Sequence, residues 1–135
     1  MPSFYGYGGQ GSVRFLTDAS GAVTDTYDYD AFGNMLGGGG ATPNLYLYQG
    51  EQYEPDLSLY YLRARYADPD RGRFWSMDSF EGFGTDPASL HQYTFNQNDP
   101  VNRRDPSGHV SLGEVETVYF LAPMVRASQS GDLRL

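Results

Sequence analysis

The sequence predicts a mainly β domain: an antiparallel sheet of short strands, with short helices near the C-terminus. Three observations predict it. Twelve tyrosines, eight phenylalanines and one tryptophan sit among seventeen glycines and eight prolines. Aromatic side chains favour pleated, half-buried surfaces, whereas Gly and Pro punctuate turns. Polar and apolar residues alternate in short runs, and Asp, Asn and Gly words bound those runs.

The elements follow in order. "SVRFLT" predicts a strand near 12–17, in which Val13 and Phe15 alternate with Arg14 and Leu16. "DASG" puts Asp18 first and Gly21 fourth in a type I turn. The next strand, near 22–29, carries Thr24, Thr26, Asp28 and Asp30 on one face and Val23, Asp25, Tyr27 and Tyr29 on the other. "DAFGN" turns the chain again, with Gly33 as the positive-φ position. The four glycines at 37–40 predict a hairpin tip or linker, because glycine loses the most freedom in a strand. Further strands are expected near 45–48, 59–66 and 73–77. Within 59–66, Tyr60, Leu62, Ala64 and Tyr66 share one face, and Tyr61, Arg63 and Arg65 the other. "DPDRG" turns that strand towards "RFWSM". Asp86 as N-cap and Pro87 behind it predict a short helix. Ser111 and Glu114 form a capping box ahead of Leu112, Val115, Val118 and Tyr119 at helical spacing, which predicts a second. The residues after it have no pattern.

Charge and composition narrow the function. A net charge of −8 argues against nucleic acid as a partner and against anionic membranes. No apolar run is long enough to span a membrane, and no signal peptide opens the chain. The chain has no cysteine and only two histidines, His91 and His109. No metal-binding motif is present, so neither a metal nor another cofactor is expected. Asp25, Asp28 and Asp30 read as a solvated strand face, and the tyrosines as sheet packing. Arg63, Arg65, Arg71 and Arg73 read as cross-strand partners of the acids, and His109 as a turn or surface residue.

"NDPVNRRDPSGHV", from Asn98 to Val110, raises a question of its own. Asp-Pro-Ser-Gly is good turn chemistry, and on local grounds Asp105 is a turn residue. Longer words change the weight. "YDYDAFGNML" resembles a tyrosine-aspartate (YD) repeat. "GEQYEPDLSLYYLRARYADPDRGRFWSMD" followed by "NDPVNRRDPSG" resembles the core domain associated with Rhs repeats. The resemblance covers roughly residues 5 to 109. It implies a β domain with YD repeats over 1–109 and a tail over 110–135 beyond a cleavage motif. In that family, which includes the C components of insecticidal Tc toxins and the teneurins, a long sheet winds into a hollow shell. In the bacterial members the shell encloses a C-terminal toxin and the protein is secreted or held at the cell surface.

The resemblance also implies chemistry. Many members cut their own chain after a "DPxGL"-type motif with two aspartates and an arginine. Carried onto this sequence, those residues are Asp78, Asp105 and Arg65, and the cut falls at His109–Val110. Two positions depart from the pattern: Ser79 follows Asp78 where proline is usual, and His109 stands where leucine is usual. Two close carboxylates do not both ionise readily, so one keeps a proton while the other takes one from water. The resemblance makes the rest of the shell, or another Rhs chain at open sheet edges, the partner, together with the parent family's toxin. The chain therefore reads as the closing or plug module of a toxin shell. The alternatives are a non-catalytic binding surface for carbohydrate or protein, or an inactive orphan fragment of such a protein.

Overall fold

The computed structural model describes residues 1–109 and 111–113. Its strands form two four-stranded antiparallel sheets and a two-stranded ribbon. The first sheet runs β1 (Phe4–Tyr7), β2 (Val13–Thr17), β3 (Val23–Tyr29) and β4 (Met35–Gly39) in chain order. The second runs β5 (Gln52–Glu54), β6 (Leu59–Leu62), β7 (Arg65–Asp68) and β8 (Arg73–Phe74), also in chain order. The ribbon pairs β9 (Arg103–Arg104) with β10 (Leu112–Gly113). Among the described residues, helix is limited to 3₁₀ turns at Tyr48–Gly50, Pro87–Leu90 and Asn96–Asn98. The fold is mainly β, as the composition predicts.

The turn chemistry is visible atom by atom. The Asp18 carboxylate accepts from the Ser20 and Ala22 N–H groups, and Gly21 takes φ +85°. Asp30 accepts from the N–H groups of Phe32, Gly33 and Asn34. Asp86 accepts from the Ala88 N–H, capping the 3₁₀ turn that Pro87 opens.

Several expectations are corrected. The glycines are not a tip: Gly37, Gly38 and Gly39 pair with Asp28, Tyr27 and Thr26. Close approach explains them, since a Cβ on Gly38 would lie 2.3 Å from the Thr26 carbonyl oxygen and one on Gly40 1.8 Å from an Asp25 carboxylate oxygen. β1 was not expected at all; it fits because Gly6 leaves room for the Phe15 ring opposite. The strand expected near 45–48 gives way to an isolated bridge at Tyr46 and the 3₁₀ turn, in which Gln49 has φ +53°. Residues 59–66 are not one strand. Arg63 has φ +57°, so the chain reverses within two residues and Leu62 pairs with Arg65. The strand expected over 73–77 is only Arg73–Phe74. Leu112 and Gly113 belong to a strand rather than to the second predicted helix, whose remaining residues lie outside the described ones. Asp25 is not on a solvated face: it is 2% exposed and accepts from the Thr24 and Thr42 hydroxyls and the Thr42 N–H.

The core explains the choice of tyrosine. Leu47, Tyr48, Tyr60, Leu62, Ala67, Phe74 and Phe95 are buried together, with Tyr27, Tyr29, Phe32 and Tyr53 packed against them. A phenol buries a large apolar body while its hydroxyl reaches a backbone acceptor. Tyr60, from the second sheet, donates to the Gly33 carbonyl in the β3–β4 turn, and Tyr48 donates to Ala31. The Tyr60 bond ties the second sheet to the first and the Tyr48 bond ties the 3₁₀ turn to it, each contributing about 0.5–1.5 kcal/mol net. Burial pushes the Tyr48 hydroxyl up to about 12 and raises Tyr29 and Tyr60 further.

Candidate functional site

Arg65 opens β7 directly after the Arg63–Ala64 reversal, and that reversal turns its side chain inward. Its guanidinium carbon lies 3.5 Å from the centre of the Phe74 ring, within the range of a cation–π contact. The fork then spreads over four partners. Nε donates to the Gly108 carbonyl, and a terminal nitrogen donates to the Gln92 carbonyl at 2.8 Å. The other terminal nitrogen lies 2.9 Å from Asp78 Oδ2 and 3.9 Å from Asp105 Oδ2. Two oxygens held that close to one nitrogen are at most 6.8 Å apart, the sum of the two contacts. Arg65, Asp78 and Asp105 are 5%, 6% and 3% exposed. The structure thus brings together all three residues named from sequence.

Each aspartate is set by local backbone. The Asp78 N–H donates to the Gln92 carbonyl, and its Oδ1 accepts from the Phe80 N–H at 2.9 Å. Asp105 Oδ1 accepts from the N–H groups of Ser107, Gly108 and His109 at 3.2, 2.7 and 3.1 Å, and from the Ser107 hydroxyl at 3.3 Å. Asp105 is therefore a turn residue through Oδ1 and a neighbour of Arg65 and Asp78 through Oδ2. Gly108 has φ +79°, and a Cβ there would sit 2.2 Å from the Leu62 carbonyl oxygen. Only glycine lets this loop close against the Arg63–Ala64 turn.

The electrostatics follow from burial. Burial raises the Asp105 pKa above its ordinary 3.8, opposed by the Gly108 and Ser107 N–H groups and by Arg65. Burial likewise lowers Arg65, and the charges of Asp78 and Asp105 pull it back up. A cleft opens beside the acids, lined by Asp78, Asp105, His91, His109, Phe80 and Ser111 among others. Among the described residues, no cluster of three or more acids and histidines is arranged to hold a metal, and no helix is long and apolar enough to cross a membrane.

Some of the site was not named from sequence. The His109 ring is no bystander: its Nδ1 lies 2.7 Å from Asp78 Oδ1. The one sequence signal was that a histidine stands where the family words usually have leucine. The Phe74 ring beneath Arg65 and the Gln92 carbonyl that serves both Arg65 and Asp78 had no signal at all. Val110, the far side of the expected cut, lies outside the described residues.

Comparison with known proteins places the chain. The family described as "Teneurin YD-shell" matches residues 8–101. The chain belongs to the YD-shell family. Among curated proteins, this YD-shell chain is 38% identical over 131 residues to the tRNA(Glu)-specific nuclease WapA of Bacillus subtilis subsp. natto, covering 95% of this chain and 6% of that protein. It is 37% identical over 109 residues to the tRNA nuclease WapA of Bacillus subtilis, covering 78% of this chain and 5% of that protein. The chain thus spans about a twentieth of the length of these relatives. A crystal structure of TcdB2-TccC3-Cdc42 superposes with a TM-score of 0.70 over 78% of this chain and 5% of that one, at 24% identity, which shows a shared fold. The YD-shell chain is a segment of the kind of β shell that Rhs-type toxins build.

Proposed function

We propose that this YD-shell segment closes an Rhs-type toxin shell and cuts the chain after His109, with Asp78 and Asp105 as the acids and Arg65 as their organiser. One observation carries the reading: a single buried arginine nitrogen between two buried carboxylates, with the same guanidinium on the carbonyl of Gly108. Like charges do not share a buried site without a reason. Arg65 lies 2.9 Å from Asp78, while burial favours the proton on Asp105.

The steps balance. Asp78 takes a proton from a water molecule as the water oxygen adds to the His109 carbonyl carbon. Asp105 gives its proton to the carbonyl oxygen. The tetrahedral intermediate collapses: one of its hydroxyls returns a proton to Asp105 as the new carbonyl forms, the C–N bond to Val110 breaks, and the Val110 nitrogen leaves as an amine with the proton held by Asp78. Arg65 steadies the negative charge throughout. A tethered peptide needs no binding step, so its effective concentration is very high.

Intact mass is the test. The wild-type chain matures to a species ending at His109, and Asp105→Asn and Asp78→Asn remain full length. The cutting rate falls as pH rises through the Asp105 pKa, which lies above 3.8, because the proton that Asp105 donates is then lost. A wild-type chain that stays whole from pH 4 to 8 retires the enzyme reading.

A second reading rests on a different surface. On β1, Tyr5 and Tyr7 are exposed and their rings stack 5.9 Å apart at 18°, a platform of the kind that binds a sugar ring or a partner's side chains. Tyr5→Ala with Tyr7→Ala leaves cutting unchanged and abolishes such binding.

A further inference from the structure

We propose that His109 is a positioning residue of this centre, the side chain through which the two acids hold the bond to be cut; the proposal rests on the self-cleavage reading above. The argument is geometric. The His109 N–H donates to Asp105 Oδ1 at 3.1 Å, and its ring Nδ1 meets Asp78 Oδ1 at 2.7 Å. One residue is thus held at two points, one on each acid. Its third polar group is the carbonyl of the His109–Val110 bond. With the amide and the ring both tied, that carbonyl has little freedom left to leave the neighbourhood of the acids.

The contact calls for a donor at the Nδ1 position. The Asp78 oxygens otherwise meet only donors, the Phe80 N–H on Oδ1 and Arg65 on Oδ2. An acceptor-rich carboxylate in that setting takes a donor, so Nδ1 carries a hydrogen. A leucine at 109 keeps the backbone tie to Asp105 and loses the tie to Asp78. The charged and titratable groups around the ring are Asp78, Asp105, the Arg65 that contacts both, and His91, which lines the same cleft. The His109 side chain is 39% exposed, while its partner carboxylate is 7% exposed.

The test uses the full chain refolded from urea, with the cut followed by intact mass over time. His109→Leu slows the cut by about tenfold or more, the loss expected for one hydrogen bond to a charged group. His109→Asn, whose amide N–H₂ lies near the Nδ1 position, restores the rate to within about threefold of wild type. A second readout needs no cutting. In the uncut Asp105→Asn chain, ¹⁵N spectra of the imidazole show His109 Nδ1 as a hydrogen-bonded donor, and adding Asp78→Asn removes that signature. His109→Leu at the wild-type rate, with Asp105→Asn still whole, overturns the positioning role and leaves the self-cleavage reading standing. A wild-type chain that is cut along with Asp105→Asn, or not cut at all, overturns both.

Discussion

The two four-stranded sheets share strand order and antiparallel sense, yet only the second contributes a residue, Arg65, to the candidate site. The strands of the first have four, five, seven and five residues; those of the second have three, four, four and two. The first has the longer strands, and each of its three pairs carries a register shift that no pair of the second has. Its outer strand β4 is exposed along its whole length, and among the described residues no further strand pairs with β1 or β4. Those open edges suit continuation of the sheet by further repeats. The edges of the second sheet are met by bridges from loops, Tyr46 to Gln52 and Thr94 to Arg73. Interruption makes the difference. A strand that runs on presents alternate residues to two faces, whereas the break at Arg63 turns Arg65 into the interior and frees the later loops to fold over it. The longer strands make the open-edged sheet, and the reversal at Arg63 makes the candidate site.

The largest effect that tests this contrast is expected at Phe74. It is 2% exposed, belongs to the core and forms the floor beneath Arg65. Phe74→Ala costs about 3–5 kcal/mol in urea unfolding, and it stops the cut as well. A variant that loses stability but cuts at the wild-type rate separates the core from the site and breaks the contrast. Gly108→Ala comes next. Positive φ and the Leu62 carbonyl together oppose a Cβ, so the cost is at least about 1–3 kcal/mol, with the cut lost because the loop leaves Arg65. No glycine of β4 is expected to affect the cut.

A pair of aspartates sharpens the comparison through pH. Asp25 and Asp105 are both nearly enclosed by protein, but their environments push in opposite directions. The Thr42 hydroxyl, then that of Thr24, lowers the Asp25 pKa. Its stabilising contribution is therefore present above pH 3.8 and is lost as pH falls through the lower folded value. Burial raises Asp105. The folded state then binds the extra proton, so stability falls as pH rises from 3.8 through the folded value. Thr42→Val lowers the urea midpoint at pH 7, and the deficit shrinks towards pH 3. Asp105→Asn flattens the fall on the other side. Equal slopes for the two variants would show that the two carboxylates are not in opposite settings. The smallest effect is expected at the exposed pair Arg14–Asp28, 2.7 Å apart across β2 and β3. Arg14→Ala changes stability by no more than about 0–1 kcal/mol, less at high salt, and leaves the cut unchanged.

Much of this was legible in the sequence. Turns at Asp18, Asp30 and Asp86 are local events, made by a side chain bonding the backbone two to four residues on, so their words survive any packing. The β2 and β3 strands were legible because alternation is also local. The identities of Arg65, Asp78 and Asp105 came from matching family words, and the structure brings those three side chains together. The rest depended on neighbours distant in sequence. That β4 is a strand follows from what lies opposite its glycines, the Thr26 carbonyl and the Asp25 carboxylate. That 59–66 is two strands follows from the Asp105–Gly108 loop packing on the Arg63–Ala64 turn, where the Ala64 N–H donates to the Ser107 carbonyl.

The sequence by itself determined the fold class, the turns and the three residues of the candidate centre, because each is written in short-range chemistry or in a family's own words. Only the tertiary structure decided that Asp105 serves a turn with one oxygen and a guanidinium with the other, and that the His109 ring rests on Asp78. Thirty-one positions separate those two residues along the chain. A hydrogen bond acts over roughly 3 Å, so no pattern in the sequence can declare it until folding has closed that distance.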